Sequence, residues 1–195
     1  YDIIDNLFSL EDNNVLIGGL GSGCTTDSVL RQFHNLKDER GITSNKVTTV
    51  ELFRDYIDLY EDKSIFFSHN NNNIIEADFY DHVNTSPAEE YSSIFFQIDN
   101  WGCSEEDPQY MLWEKNNKRM YSLKFFKQLH SILKPNSCMI FCCLSEPLNN
   151  SFKETIIDAG FRAYEERRPY YKGDEKQMPY DNLDKVIYRC YKFKK

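Results

Sequence analysis

Gly18, Gly19, Gly21 and Gly23 are four of the eight glycines in this chain of 195 residues, and they fall within six positions. They stand in the stretch VLIGGLGSGCTTDSVLRQFH, Val15 to His34. Before them lies a short apolar run that stops at glycine, the pattern of a buried strand. After them Val29, Leu30 and Phe33 recur at helical spacing. No other feature constrains the fold as much. A buried strand that turns through glycine into a helix opens a βαβ unit, and the strand that follows must lie parallel to the first. Glycine also lets the backbone turn sharply and a ligand come close. The helix start beyond it offers free N–H groups and a positive dipole end.

The rest of the chain continues that alternation. KVTTVEL, rich in β-branched residues, is a second strand, and FRDYIDLYED a helix. NIIEAD and YSSIFFQID are the third and fourth strands. SLKFFKQLHSILK is amphipathic, with Leu123, Phe126, Leu129, Ile132 and Leu133 on one face and Pro135 and Asn136 ending it. SCMIFCCLS is a fifth strand, and NNSFKETIIDAG a helix ending at Gly160. FRAYEERRPYY and DKVIYRCYKF are late strands joined by a polar loop, Lys172 to Asp184, without a helix. The expected fold is α/β and Rossmann-like, a mostly parallel seven-stranded sheet with a C-terminal antiparallel hairpin at one edge. Residues 1–195 read as one domain, with 1–13 a candidate remnant of an N-terminal segment.

Charge and composition narrow the partners. A net charge of −8 argues against whole-surface attraction to nucleic acid, and the tail YKFKK is too short to reverse it. No apolar run approaches the roughly 20 residues of a membrane span. The six cysteines (24, 103, 138, 142, 143, 190) form no CxxC pair. They read as reduced, buried thiols in a cytoplasmic protein, and no metal site is expected. The chain opens on Tyr1 rather than Met, so its start decides nothing about a leader. The run Asn70 to Asn73 reads as loop composition. His34 and His130 read as structural helix residues, and His82 as a candidate at the ligand edge. Trp101 and Trp113 could form an apolar lid.

The acidic strand ends suggest the ligand. Glu51 closes the second strand about thirty residues after the glycines, where a carboxylate can accept from ribose hydroxyls and disfavours the 2′-phosphate of NADP. Asp78 closes the third strand and can receive the amine of an adenine, with Phe79 stacking on the base. The competing reading of Asp78 is a helix cap. Together these residues suit an adenosine ligand, either NAD or S-adenosylmethionine. NAD requires G-x-G-x-x-G for its pyrophosphate, and Cys24 stands where the last glycine belongs. The hairpin also favours a methyltransferase-type sheet.

At this point a family likeness becomes visible. VLIGGLGSGCT, VTTVEL, YSSIFFQIDNWG, NKRMYSLKFFKQLHSILKPN and SFKETIIDAGF follow in the order and spacing of the spermidine-synthase-like proteins. The chain resembles these aminopropyltransferase relatives on the S-adenosylmethionine-dependent methyltransferase fold from about Val15 to Phe161. The most telling pieces are Asp99-Asn100 and then Asn117, Arg119, Tyr121 and Ser122. The resemblance implies that Gly18, Gly19 and Gly21 pass the ligand's amino-acid part, with Glu51 on the ribose and Asp78 at the adenine. It places Asp99 where the acceptor amine is handled, and it counts Asp99 and Asn100 among the cofactor-binding residues. One departure matters. The aminopropyltransferases continue D-x-x-D-P, whereas this chain has Asp99, Asn100, Trp101, Gly102, Cys103. A polycationic acceptor needs several carboxylates to replace its lost hydration, and the second one is absent.

The expected activity is therefore methyl transfer from S-adenosylmethionine to a small or exposed nucleophile, with Asp99 as the base. The alternatives are aminopropyl transfer from decarboxylated S-adenosylmethionine and a non-catalytic scaffold on the same fold. The expected partner is a small-molecule acceptor, an amine among the candidates, with no membrane and a homodimer left open.

Overall fold

The structure, a computed structural model, describes residues 13–40, 44–98, 119–144, 150–167 and 188–195. The elements run β1 (Asn14–Gly18), α1 (Cys24–Arg40), β2 (Lys46–Glu51), α2 (Arg54–Lys63), β3 (Asn72–Glu76), α3 (Phe79–Thr85) and β4 (Tyr91–Phe96). Then come α4 (Leu123–Ile132), β5 (Leu133–Leu144), α5 (Asn150–Asp158), β6 (Arg162–Arg167) and β7 (Tyr188–Lys194). All seven strands join one sheet in the order β3-β2-β1-β4-β5-β7-β6. β1 to β5 pair in parallel, and β7 runs antiparallel to both β5 and β6.

The expected hairpin is present, and β7 lies inside it, between β5 and the edge strand β6. α3 is a helix that the sequence pattern did not announce; it has only seven residues, too few for a clear period.

Residues alternate across the sheet with the period of two that strands impose. Ile17, Phe95 and Ile140 share a register line, and they pack with Val15, Val47 and the α1 residues Val29, Leu30 and Phe33 on one face. Leu16, Ile94 and Met139 form the neighbouring line and point to the other face. There α3, α4 and α5 contribute Phe79, Val83, Phe125, Phe126, Leu129, Ile132 and Ile156. Truncating a fully buried phenylalanine such as Phe126 would cost about 3–5 kcal/mol.

Helix α4 departs from its expected face at both ends. Leu123 is 38% exposed, and Phe125 is buried instead. Ser122 caps the helix by accepting from the Phe125 N–H, so the chain enters the helix with Leu123 turned outward. Leu133 begins β5 and pairs with Tyr91. Pro135 and Asn136, expected to end the helix, lie within β5. Asn136 has φ +63°, and β5 advances from Leu133 to Cys138 while β4 advances only from Tyr91 to Ser93. The left-handed asparagine absorbs that mismatch as a bulge.

The asparagine run is not bare loop composition. Asn72 and Asn73 belong to β3. The Asn71 amide donates to the Asn45 carbonyl at 2.6 Å, and that of Asn72 to Phe66 and Phe67 at 3.1 and 3.2 Å. These bonds fix the turn before β3. Cys138 is buried, as expected of the thiols, whereas Cys24 opens α1 exposed to solvent. No helix among the described residues is long and apolar enough to cross a membrane.

Candidate functional site

Parallel pairing brings the C-terminal ends of β1, β2, β3 and β4 to one edge. Gly18 stands opposite both Val50 and Phe96, and Glu51 opposite Glu76. The glycine loop leaves β1 there. Gly19, Gly21 and Gly23 have φ of +87°, +52° and +78°, a region in which other residues are strained. The loop is tied down by Gly19 N–H donating to the Val50 carbonyl at 2.9 Å and Gly23 N–H to Leu20 at 2.8 Å.

The glycines differ in what their missing side chains admit. A Cβ on Gly18 would lie 2.8 Å from the Phe79 ring, and one on Gly19 would lie 3.1 Å from the Gln97 carbonyl oxygen. On Gly23 it would meet the Tyr60 ring at 2.2 Å. Only on Gly21 would it meet nothing within 4 Å among the described residues. Three of the four therefore serve packing within the protein, and Gly21 alone leaves space among the described residues beside the loop.

Tyr60, on α2, is the floor under this loop. It is buried, and its hydroxyl donates to Asp27 Oδ1 at 2.5 Å, where the Ser64 hydroxyl also donates at 2.7 Å. Burial first, then the hydrogen bond to Asp27, push the Tyr60 phenol far above its ordinary range, so it remains a donor. Asp27 lies in the first turn of α1. Two hydroxyl donors meet the charge that would otherwise oppose an anion at the helix start.

Glu51 closes β2 and is only 6% exposed. Its Oε2 accepts from the Leu20 N–H at 2.8 Å and its Oε1 from the Phe53 N–H at 3.0 Å. The carboxylate thus braces the glycine loop against the start of α2. Each oxygen has one further acceptor position, which suits a vicinal diol.

Asp78 is the N-cap of α3, and the capping reading of this residue is correct. Its Oδ1 accepts from the Tyr80 N–H at 2.8 Å, and its Oδ2 from Arg119 Nη2 at 2.8 Å. The carboxylate retains acceptor capacity on both oxygens, as at Glu51. Phe79 does not fit the stacking role expected of it. The ring is 4% exposed, packed on Gly18 and 5.9 and 6.2 Å from the rings of Phe96 and Phe125. It belongs to the core because α3 turns its first residue inward, beneath the loop.

The structure therefore brings Gly18, Gly19, Gly21, Glu51 and Asp78 to one edge. Asp99 and Asn100, like Trp101, Trp113 and Asn117, lie outside the described residues. His82 is directed elsewhere. Its Nε2 is 3.0 Å from the hydroxyl of Tyr91, the first residue of β4 and so at the opposite end of the sheet. His130 packs edge-on against Phe161 at 5.2 Å, as a structural histidine. Asp27, Tyr60 and the pairing of Arg119 with Asp78 carry no local sequence signal, because each contact joins residues more than thirty positions apart.

The sequence matches no protein-family model, and none of the curated proteins matches it. Solved structures do. A spermidine synthase in complex with the transition-state analogue AdoDATO superposes with a TM-score of 0.62 at 15% identity, over 93% of this chain and 54% of that one. The chain thus spans about half the length of that synthase. The precorrin-6y C5,15-methyltransferase of Geobacter metallireducens gives 0.60 at 16% identity, over 100% and 87%. A SAM-dependent methyltransferase from Archaeoglobus fulgidus gives 0.54 at 14%, over 100% and 90%. At these identities the likeness is one of fold, and it agrees with the strand order, the parallel pairing and the antiparallel β7. The chain has the α/β, Rossmann-like methyltransferase fold.

Proposed function

We propose that the chain binds S-adenosylmethionine at the C-terminal edge of β1, β2 and β3 and directs methyl transfer to a small or exposed nucleophile. One observation carries the reading: the edge that holds the open, left-handed Gly21 also holds two carboxylates, Glu51 and Asp78, each with one N–H or guanidinium donor per oxygen and with acceptor capacity left over. Glu51 would take the ribose diol and Asp78 the adenine amine. The start of α1 would face the carboxylate of the amino-acid part, since leading helix N–H groups have no partner within the helix. When bound, the ligand supplies an electrophilic sulfonium methyl. The chain's own contribution is to position the acceptor and exclude water. Asp99, three residues beyond the last residue of β4, is the proposed base for the acceptor's proton.

Aminopropyl transfer is the second reading, favoured by the likeness to a spermidine synthase. The missing second carboxylate after Asp99 weighs against it. Titration calorimetry with intact and decarboxylated S-adenosylmethionine separates the two. The intact ligand should bind at least as well, and a tenfold preference for the decarboxylated one would reverse the choice. A purified chain that binds neither would remove both readings and leave the scaffold. Labelled S-adenosylmethionine incubated with cell extract then tests transfer. Asp99→Asn should lower turnover by about 10²-fold while leaving ligand affinity within about threefold.

A further inference from the structure

Arg119 belongs to the short segment that leads into α4, 41 residues after Asp78. Its Nη2 donates to Asp78 Oδ2 at 2.8 Å, and its guanidinium carbon lies 4.6 Å from the centroid of the Tyr80 ring. Tyr80 in turn stacks on Phe125, with centroids 5.2 Å apart and planes 17° from parallel. Phe125 is 1% exposed. A continuous stack thus runs from the core through Tyr80 to the guanidinium and ends on one oxygen of Asp78. The other oxygen is fixed by the Tyr80 N–H. Both restraints on the carboxylate therefore come from groups that the same stack holds in place.

The capping bond alone holds one oxygen of Asp78 and leaves the second without a restraint. The guanidinium holds that second oxygen. The pair is not sealed away: the side chains of Arg119 and Asp78 are 36% and 18% exposed, so a donor from solvent or a ligand can still reach the carboxylate. A restrained, partly accessible acceptor discriminates between a ligand that presents an N–H and one that presents an oxygen, since an acceptor facing an acceptor loses its hydrogen bond and is repelled.

We propose that Arg119 is a positioning residue for base selectivity: by fixing Asp78 between its guanidinium and the Tyr80 N–H, it makes the site select a purine carrying an exocyclic amine over one carrying a carbonyl at the same place. This rests on the adenosyl-ligand reading above and extends it to a residue that does not itself contact the ligand.

The test measures the affinities of S-adenosylhomocysteine and S-inosylhomocysteine, which differ in the amine and the carbonyl, for the full chain and two variants. The wild type should prefer the adenosyl ligand by about tenfold or more. Arg119→Ala should bring that ratio to within about threefold of unity, chiefly by weakening the adenosyl ligand. Arg119→Lys, which keeps the charge and loses the planar fork, should fall between them. Thermal melting of each variant reports stability separately. Should Arg119→Ala not fold, Arg119→Lys decides by the same ratio. A variant that melts lower but keeps the wild-type ratio overturns the proposal, because Arg119 would then only anchor the chain. A wild type that binds both ligands equally overturns it while leaving the adenosyl site standing. Binding of neither ligand removes the adenosyl reading and this inference with it.

Discussion

Asparagines gather at the N-terminal ends of β1, β2 and β3, and carboxylates stand at the C-terminal ends of β2 and β3. In the first group Asn13, Asn45 and Asn71 are linked to one another, while the buried Asn45 Nδ2 has no partner among the described residues. Asn13 and Asn45 are 3% and 1% exposed, the backbone and side-chain N–H groups of Asn13 both reach Asn45 Oδ1 at 3.1 Å, and Asn71 reaches the Asn45 carbonyl. Neutral amides knit strand ends together at a lower desolvation cost than a buried charge carries. Glu51 is nearly as buried, yet a carboxylate there must be met by donors from two loops. Among the described residues Glu51 is the one buried charged side chain, and it stands at the edge where the glycine loop opens. Both clusters hold strand ends in place, but only the carboxylates leave charged acceptors beside open space.

That contrast can be broken first inside the glycine loop. Gly23→Ala combines a left-handed backbone with a Cβ driven into the Tyr60 ring. Strain and overpacking together should remove about 3 kcal/mol or more, read as a large fall in the denaturation midpoint. A shift of less than about 1 kcal/mol would mean that Tyr60 is not the floor of the loop.

The next step compares the two edges directly. Glu51→Ala frees the Leu20 and Phe53 N–H groups and should destabilise the chain by about 1.5–3 kcal/mol, the range for hydrogen bonds to a charged group. It should weaken S-adenosylmethionine binding by a similar amount. Asn71→Ala, at the other edge, should cost about 1 kcal/mol in stability and leave ligand affinity unchanged. Calorimetry and urea melts on both variants check the pair. Equal ligand affinities for Glu51→Ala and wild type would make Glu51 a brace only.

Gly21→Ala has a smaller effect on the fold. Its φ is positive, but its Cβ would enter open space, so about 1–2 kcal/mol of backbone strain is the expected cost. Ligand affinity should fall about tenfold, because the new methyl group stands where the amino-acid part is proposed to pass. Stability loss without affinity loss would move the ligand away from Gly21.

Much of this was legible in the sequence. Strand–glycine–helix spacing, β-branched runs and the helix-free final pair of strands are local signals, and they gave the layers and the antiparallel end. That Glu51 and Asp78 share one edge could be expected because strand ends in a parallel sheet converge. What was not legible depends on distant packing. Phe79 looks like a stacking aromatic beside Asp78, but the absence of a Cβ on Gly18, sixty-one positions earlier, lets its ring lie in the core. Asn72 looks like loop composition because β3 is a short edge strand that opens on asparagines, with only Ile74 and Ile75 as an apolar signal. Arg119 could be listed within a motif, but its partner could not be assigned before α3 and the start of α4 were brought together.

The smallest expected effect concerns pH and the end of the sheet away from the site. Burial holds the imidazole of His82 below its ordinary range and raises the Tyr91 phenol to which it is bonded. The neutral imidazole is therefore favoured in the folded chain, and the unfolded chain takes up a proton first as pH falls. Stability from this group is fully present above the ordinary histidine value of about 6.5 and is lost as pH drops through the lowered folded value. His130 shifts in the same direction, through burial and then the nearby Lys195. Urea midpoints should thus decline between about pH 7 and pH 5.5, and His82→Gln, which stays neutral, should flatten part of that slope. The ligand affinity of His82→Gln should follow that of the wild type across the same range, because His82 lies at the β4 end opposite Glu51 and Asp78. A variant whose affinity, rather than its midpoint, lost its pH dependence would place His82 in functional contact with the carboxylate edge and undo the division between the two ends of the sheet.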